Sequence, residues 1–278
     1  MYWKYFNLKT DPFGITPDPK FLYLSQAHAS AIEWMKMAIE QKEFGIITGE
    51  VGSGKTVISR YIIDRLSEKN QYKICWIVNS NLSSLELLKE IYQQLFDENP
   101  PLKRNALVKK LEEGLTKFYV ENIFPVVFID EAQAIPGKKT IEEIRLLCNY
   151  QTDEQNLISI ILLGQPEFAA KLKNKAYRAF LQRVRFTITL NPLTKEETKE
   201  YIFHRLKVAG LESSNIFTDD SIDQIYKLTN GYPRPINHLA SLGMMSAMSK
   251  EKSVVEKEDI IEAAKSTLYF EDKANSGA

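Results

Sequence analysis

Cysteine is nearly missing from this sequence. Only Cys75 and Cys148 occur in 278 residues, far apart and inside apolar stretches, and the three histidines stand at no metal-ligand spacing from them. A disulfide framework and a Cys/His metal site are therefore excluded, and both thiols are expected in a core within a reducing compartment. Long apolar runs are missing too. No stretch approaches the roughly 18 uncharged residues of a membrane-crossing helix, and Met1-Tyr2-Trp3-Lys4-Tyr5-Phe6 opens no signal-peptide segment. The expected location is the cytoplasm. No sign of charge dominates either: 36 basic residues balance 36 acidic ones. With no global field toward nucleic acid or anionic lipid, any such binding needs a local patch. Repeats and low-complexity tracts are absent, and only Asp272 to Ala278 reads as a loose polar end.

What is present is enough apolar sequence, 44% of the residues, to bury a core. Residues 1 to 24 are rich in aromatics, Pro and Gly (Asp11-Pro12-Phe13-Gly14, Thr16-Pro17-Asp18-Pro19), which predicts an irregular arm packed on a domain surface. Ala31, Ile32, Met35, Ala38 and Ile39 then recur at helical spacing. Short apolar runs follow at Phe44 to Thr48, Lys73 to Val78, Val126 to Asp130, Leu157 to Leu163 and Arg185 to Leu190. They alternate with helical patterns from Lys55, near 84 to 97, near 104 to 121 and near 140 to 150. That alternation predicts an α/β fold, a parallel sheet flanked by helices. From Asn191 onward the strand signals stop. Thr194 with Glu197 forms a capping box for a helix to about Ala209, and three further helices are expected near 219 to 229, 234 to 249 and 256 to 267. The expected plan is an arm over 1–24, a nucleotide-binding core over 25–191, a helical lid over 192–270 and a flexible tail over 271–278.

Gly49-Glu50-Val51-Gly52-Ser53-Gly54-Lys55-Thr56 fits GxxxxGK[ST], with a strand before it and a helix after it. Glycines at 49, 52 and 54 let the backbone wrap so that its N–H groups face phosphate oxygens, and the helix N-terminus adds the positive end of a dipole. Residues Gly49 through Val57 are the expected phosphate cradle for ATP. Lys55 would reach the β- and γ-phosphates, and Thr56 would bind Mg²⁺ through its hydroxyl. The apolar run Val126 to Ile129 then delivers two carboxylates: Asp130 to the metal, and Glu131 as general base toward water. The alternative, a core strand ending in a solvated acidic pair, is outweighed by the phosphate loop, since parallel strands bind ligands at their C-terminal ends. Gln165, after the run Leu157 to Leu163, is the candidate polar group that positions water or reads the γ-phosphate; otherwise it caps the next helix. A GTPase would need Asn-Lys-x-Asp, and Asn174-Lys175-Ala176-Tyr177 lacks the Asp. The LSGGQ signature of ABC transporter ATPases is absent.

These phrases resemble the ExeA (GspA) family of AAA+ ATPases over almost the whole chain. The likeness is carried by Tyr5-Phe6-Asn7-Leu8, Thr16 to Leu24, Thr48 to Thr56, Ile129-Asp130-Glu131-Ala132-Gln133 and Arg145-Leu146-Leu147-Cys148-Asn149. Leu163-Gly164-Gln165-Pro166-Glu167, Tyr201 to Leu206 and Gly231 to Asn237 complete it. The resemblance implies a P-loop AAA+ core with a C-terminal helical lid, ATP bound between them, and a homo-oligomer, ring or filament. It implies further that Arg234 reaches the nucleotide of its own subunit, and that an Arg of the segment Tyr177 to Arg185 enters the neighbour's site. Arg183 is favoured for that second role, then Arg178, then Arg185. Two uses are expected. One is an assembly factor for an envelope, secretion or pilus machine, which the neutral charge favours. The other is a regulator of transposition similar to the TniB, TnsC and IstB kind, binding double-stranded DNA and a transposase. The lack of any stretch resembling that family's membrane span and peptidoglycan-binding region favours the second. DNA or a partner would meet Asn79 to Ser84, with Lys103, Arg104, Lys109 and Lys110 nearby; helix capping by Ser83 or Ser84 is the alternative.

Overall fold

The computed structural model describes residues 1–14, 16, 18–212, 215–267 and 269–270. Pro17 of the arm and the tail expected over 271–278 lie outside the described residues. Contacts divide the chain into two compact units. One comprises Met1–Ser25, Val51–Val57 and the part from Asn191 onward; the other comprises Gln26–Glu50 and Ile58–Leu190.

The chain opens with a single helical turn, α1 (Tyr2–Tyr5), and continues with α2 (Gln26–Glu40), β1 (Phe44–Gly49), α3 (Lys55–Ser67), β2 (Tyr72–Ile77), α4 (Ser84–Phe96) and α5 (Arg104–Val120). Next come β3 (Phe124–Ile129), α6 (Lys138–Leu147), β4 (Ser159–Gly164), α7 (Pro166–Leu172), α8 (Arg178–Leu181) and β5 (Val184–Leu190). The strands form one sheet in the order β2-β3-β4-β1-β5, with every neighbouring pair parallel. Parallel strands need crossovers, and the helices that make them bury the sheet faces. Every residue of β1 and β4 is accordingly buried, whereas edge strand β5 alternates half-buried and exposed positions up to a buried Leu190. The helical stripe Ala31, Ile32, Met35, Ala38 and Ile39 is buried as its spacing predicts. β3 starts at Phe124, two residues earlier than its apolar run suggests, and so contains Pro125. Pairing with β4 begins only at Val126, so the missing proline N–H disrupts no bond on that side. Both thiols are buried, and burial pushes Cys148 up to about 12.

The second unit holds α9 (Lys195–Val208), α10 (Asp219–Thr229), α11 (Pro233–Ser249) and α12 (Lys257–Lys265). The capping box at Thr194 and Glu197 forms as its spacing predicts, each side chain accepting the other's backbone N–H. The arm packs within this unit, putting Tyr2, Phe6, Leu8, Phe13 and Phe21 into the same core as Ile202, Leu206, Ile225, Leu239 and Ile260. The backbone N–H groups of Lys9 and Thr10 donate to the Ala209 carbonyl, and the buried Arg205 donates through Nε to that of Pro12. Pro and Gly break regular structure without removing apolar area, and five buried aromatic or leucine side chains outweigh the lack of a ladder.

Gly231 fixes the entry to α11. Its φ is +77°, and a Cβ there would stand 2.0 Å from the Leu193 carbonyl oxygen. Gly231→Ala should therefore lower the urea midpoint of the protein, costing more than the ~1–2 kcal/mol of a left-handed L-residue alone; an unchanged midpoint would show that this contact is not tight.

Candidate functional site

The sheet directs its strand ends toward one edge. Because β1, β3 and β4 are parallel and paired in register, with Thr48 beside Gly164 and Ile129 beside Leu162, the chain leaves all three at the same end. Gly49 closes β1, Asp130 and Glu131 follow β3, and Gln165 follows β4. β1 also lies where the strand order reverses between β4 and β5, the place where open α/β sheets leave a crevice.

Val51–Val57 belong, by their contacts, to the helical unit. Gly52 and Gly54 have φ of +79° and +102°, the left-handed region that favours glycine. Lys55 is the first residue of α3, followed by Thr56, and the Val57 N–H donates to the Gly54 carbonyl. Ser53 and Lys55 are buried, while Glu50 and Val51 are exposed. Arg234, second residue of α11, lies against this loop. Its N–H donates to the Gly52 carbonyl at 3.2 Å, and a Cβ on Gly52 would fall 2.5 Å from the Arg234 Cβ. Gly52 and Arg234, two residues singled out from sequence, are thus brought together.

A second group gathers at the ends of β3 and β4. Asp130 is buried, its N–H donates to the Ile77 carbonyl at 2.8 Å, and its carboxylate accepts the Glu131 N–H at 2.8 Å. Glu131 is exposed and left-handed, with φ +51°. Its backbone is held there by Ser80, whose buried hydroxyl donates to the Glu131 carbonyl at 2.6 Å. The Glu131 carboxylate accepts the side-chain amides of Gln133 and, at 3.3 Å, of Gln165. Gln165 occupies the N-cap position of α7 but its side chain makes no capping bond; it reaches Glu131 instead. Arg183 belongs to neither group. It is exposed between α8 and β5, and its guanidinium donates to Asn149 Oδ1 at 3.2 Å. Arg178 begins α8, and Arg185 is exposed on β5.

Ser80 and Gln133 were not singled out from the sequence as site residues. Ser80 sat in a segment read for partner contact, although its place just past a strand is the signal that it borders the next strand's end. Gln133 sat inside the Asp130-Glu131-Ala132-Gln133 phrase with no role of its own. Ser83 caps α4 with Glu86. Arg104 is committed to Glu143, donating to both carboxylate oxygens at 2.7 and 2.9 Å.

Residues 38–172 match the family model described as an AAA domain. The chain carries an AAA domain. Over 269 residues it is 33% identical to General secretion pathway protein A of Aeromonas hydrophila, a match that covers 95% of this chain and 48% of that protein; the chain thus spans about half the length of this relative. In fold it is similar to Cdc6p of Pyrobaculum aerophilum, with TM-score 0.71, 16% identity, and 94% and 72% of the two chains covered. It is also similar to the ORC2 protein of Aeropyrum pernix solved as ADPNP–ADP complexes, with TM-score 0.68, 16% identity, and 92% and 71% covered. The close approach of Arg234 to Gly52 leads to a direct expectation for the nucleotide binding that an AAA domain implies. Gly52→Ala, by pressing on Arg234 and straining a positive φ, should weaken ATP binding by about tenfold or more while the circular dichroism of the fold is retained. Unchanged affinity in a fluorescent-nucleotide titration would contradict the tight loop.

Proposed function

We propose that this protein is an ATPase that binds and hydrolyses ATP at subunit interfaces of a homo-oligomer, ring or filament. It uses the cycle as a conformational switch in an ExeA-like assembly factor serving an envelope, secretion or pilus machine. The observation that carries the reading is the loop from Gly49 to Val57: two positive-φ glycines leading from a buried central strand straight into the N-terminus of α3. Positive-φ glycines leading into a helix N-terminus are what a polyphosphate cradle requires. The match of residues 38–172 to an AAA domain supports the ATPase part of this reading, and the likeness to General secretion pathway protein A is the reason for placing it in secretion. No helix among the described residues is long and apolar enough to cross a membrane.

In this reading the loop N–H groups and the Lys55 ammonium bind the β- and γ-phosphates. The Thr56 hydroxyl and the Asp130 carboxylate would hold Mg²⁺, which would supply charge neutralisation at the phosphates. Glu131 accepts the proton of the attacking water as its oxygen bonds to the γ-phosphorus, and the bond to the β-phosphate oxygen breaks to leave ADP. Gln165 orients that water, Arg234 follows the phosphate state within its own subunit, and Arg183 approaches the γ-phosphate of the neighbour. The DNA-regulator reading loses one of its basic groups, because Arg104 is already spent on Glu143.

Steady-state phosphate release tests the enzyme assignment. Glu131→Gln should keep nucleotide binding and lose about a hundredfold or more in rate, and Arg183→Ala should bind ATP normally yet hydrolyse it about a thousandfold more slowly. Release at the wild-type rate in Glu131→Gln would contradict the assignment, and loss of binding in Arg183→Ala would remove that residue from the trans role. The partner class is tested by gel shift with long duplex DNA at two salt concentrations, with and without a non-hydrolysable ATP analogue. The assembly reading expects no shift, and a salt-sensitive, nucleotide-dependent shift would replace it with the transposition reading.

A further inference from the structure

The Glu131 carboxylate is the end of a closed ring of hydrogen bonds. Gln133 donates from Nε2 to Glu131 Oε2. The Oε1 of the same amide accepts the Gln165 backbone N–H at 3.0 Å. Gln165 completes the ring by donating from its own Nε2 to Glu131 Oε2 at 3.3 Å. The chemistry of the partners fixes the orientation of the Gln133 amide. A carboxylate takes only donors and a backbone N–H takes only an acceptor, so a flipped amide would oppose like to like at both ends. Only a side chain with a donor and an acceptor on one planar group fills this place. Glu131 needs such support: it stands exposed in a left-handed conformation that costs an L-residue about 1–2 kcal/mol, and its long side chain has several rotamers to lose. Ser80 and Asp130 fix its backbone, but of the described contacts only the two glutamine amides reach its carboxylate.

We propose that Gln133 is a positioning residue for the hydrolytic step, locking the Glu131 carboxylate and the start of α7 into one unit so that general base and water-orienting amide keep a fixed separation. The proposal rests on the ATPase reading above and names how its base is held. A base displaced by about an ångström loses up to about a hundredfold in rate, whereas a residue remote from the phosphates leaves nucleotide affinity alone.

The test uses the full chain with Gln133→Ala, Gln133→Glu, Gln165→Ala and the double variant Gln133→Ala/Gln165→Ala. Gln133→Ala should lower kcat ten- to hundredfold with ATP affinity and thermal midpoint within error of wild type. Gln133→Glu, of the same size but placing carboxylate against carboxylate, should lower kcat at least as far. The double variant should be little worse than Gln165→Ala alone, because that substitution already opens the ring. A second readout needs no turnover: in an amide-proton correlation spectrum, the side-chain signal lost in Gln133→Ala should shift in Glu131→Ala. An unchanged or raised kcat in Gln133→Ala overturns the proposal, as do equal losses of affinity and midpoint, strict additivity, or an amide signal indifferent to Glu131. Wild-type protein that releases no phosphate overturns the ATPase reading instead, and the two failures are told apart.

Discussion

β1 is hydrogen-bonded on both sides, to β4 and to β5, along nearly its whole length, and every one of its residues is buried. A strand held in this way has no freedom to slip, because a one-residue shift would exchange its two faces. The position of Gly49 is therefore set by the whole sheet. The loop that follows inherits that fixed starting point, and α3 resumes regular structure only six residues later, at Lys55. The same pairing, carried across β4 to β3, fixes where Asp130, Glu131 and Gln165 emerge. Three polar residues at two neighbouring strand ends are thus a consequence of apolar packing between Phe44 and Leu163.

Polar groups at such an edge face a conflict between exposure and order. Asp130 resolves it by burial with backbone partners, Glu131 by a strained conformation braced by Ser80 and by two glutamine amides. Strain of this kind persists only where neighbouring structure overdetermines it, and here the neighbours come from three strands. In the helical unit, Gly52 allows Arg234 to approach closer than any side chain at that position would permit. The lack of a Cβ thereby places a cation beside the loop without any specific side-chain contact.

Most of this fold was legible in the sequence because its signals are local. Period-3.6 stripes, capping boxes at Ser83 and Thr194, and apolar runs each act within a dozen residues. The run from Gly49 to Thr56 and the pair Asp130-Glu131 stood out because they match fixed residue types in a fixed order. What could not be read depended on contacts distant in sequence. The partners of the arm were not legible, because Phe13 and Phe21 pack in a core whose other residues begin near Leu193. Gln133 carried no signal of its own, since its partners Glu131 and Gln165 meet only once β3 and β4 are paired. Arg104 read as part of a basic patch until Glu143, on a different helix, was found to hold it.

The central claim is that the loop after β1 takes ATP, and calorimetric titration of the purified chain with ATP in the presence of Mg²⁺ tests it most directly. The account predicts one nucleotide bound per chain, abolished by Lys55→Ala and retained in Glu131→Gln. An absence of binding to the wild type, or a Lys55→Ala titration that matches it, would contradict the account.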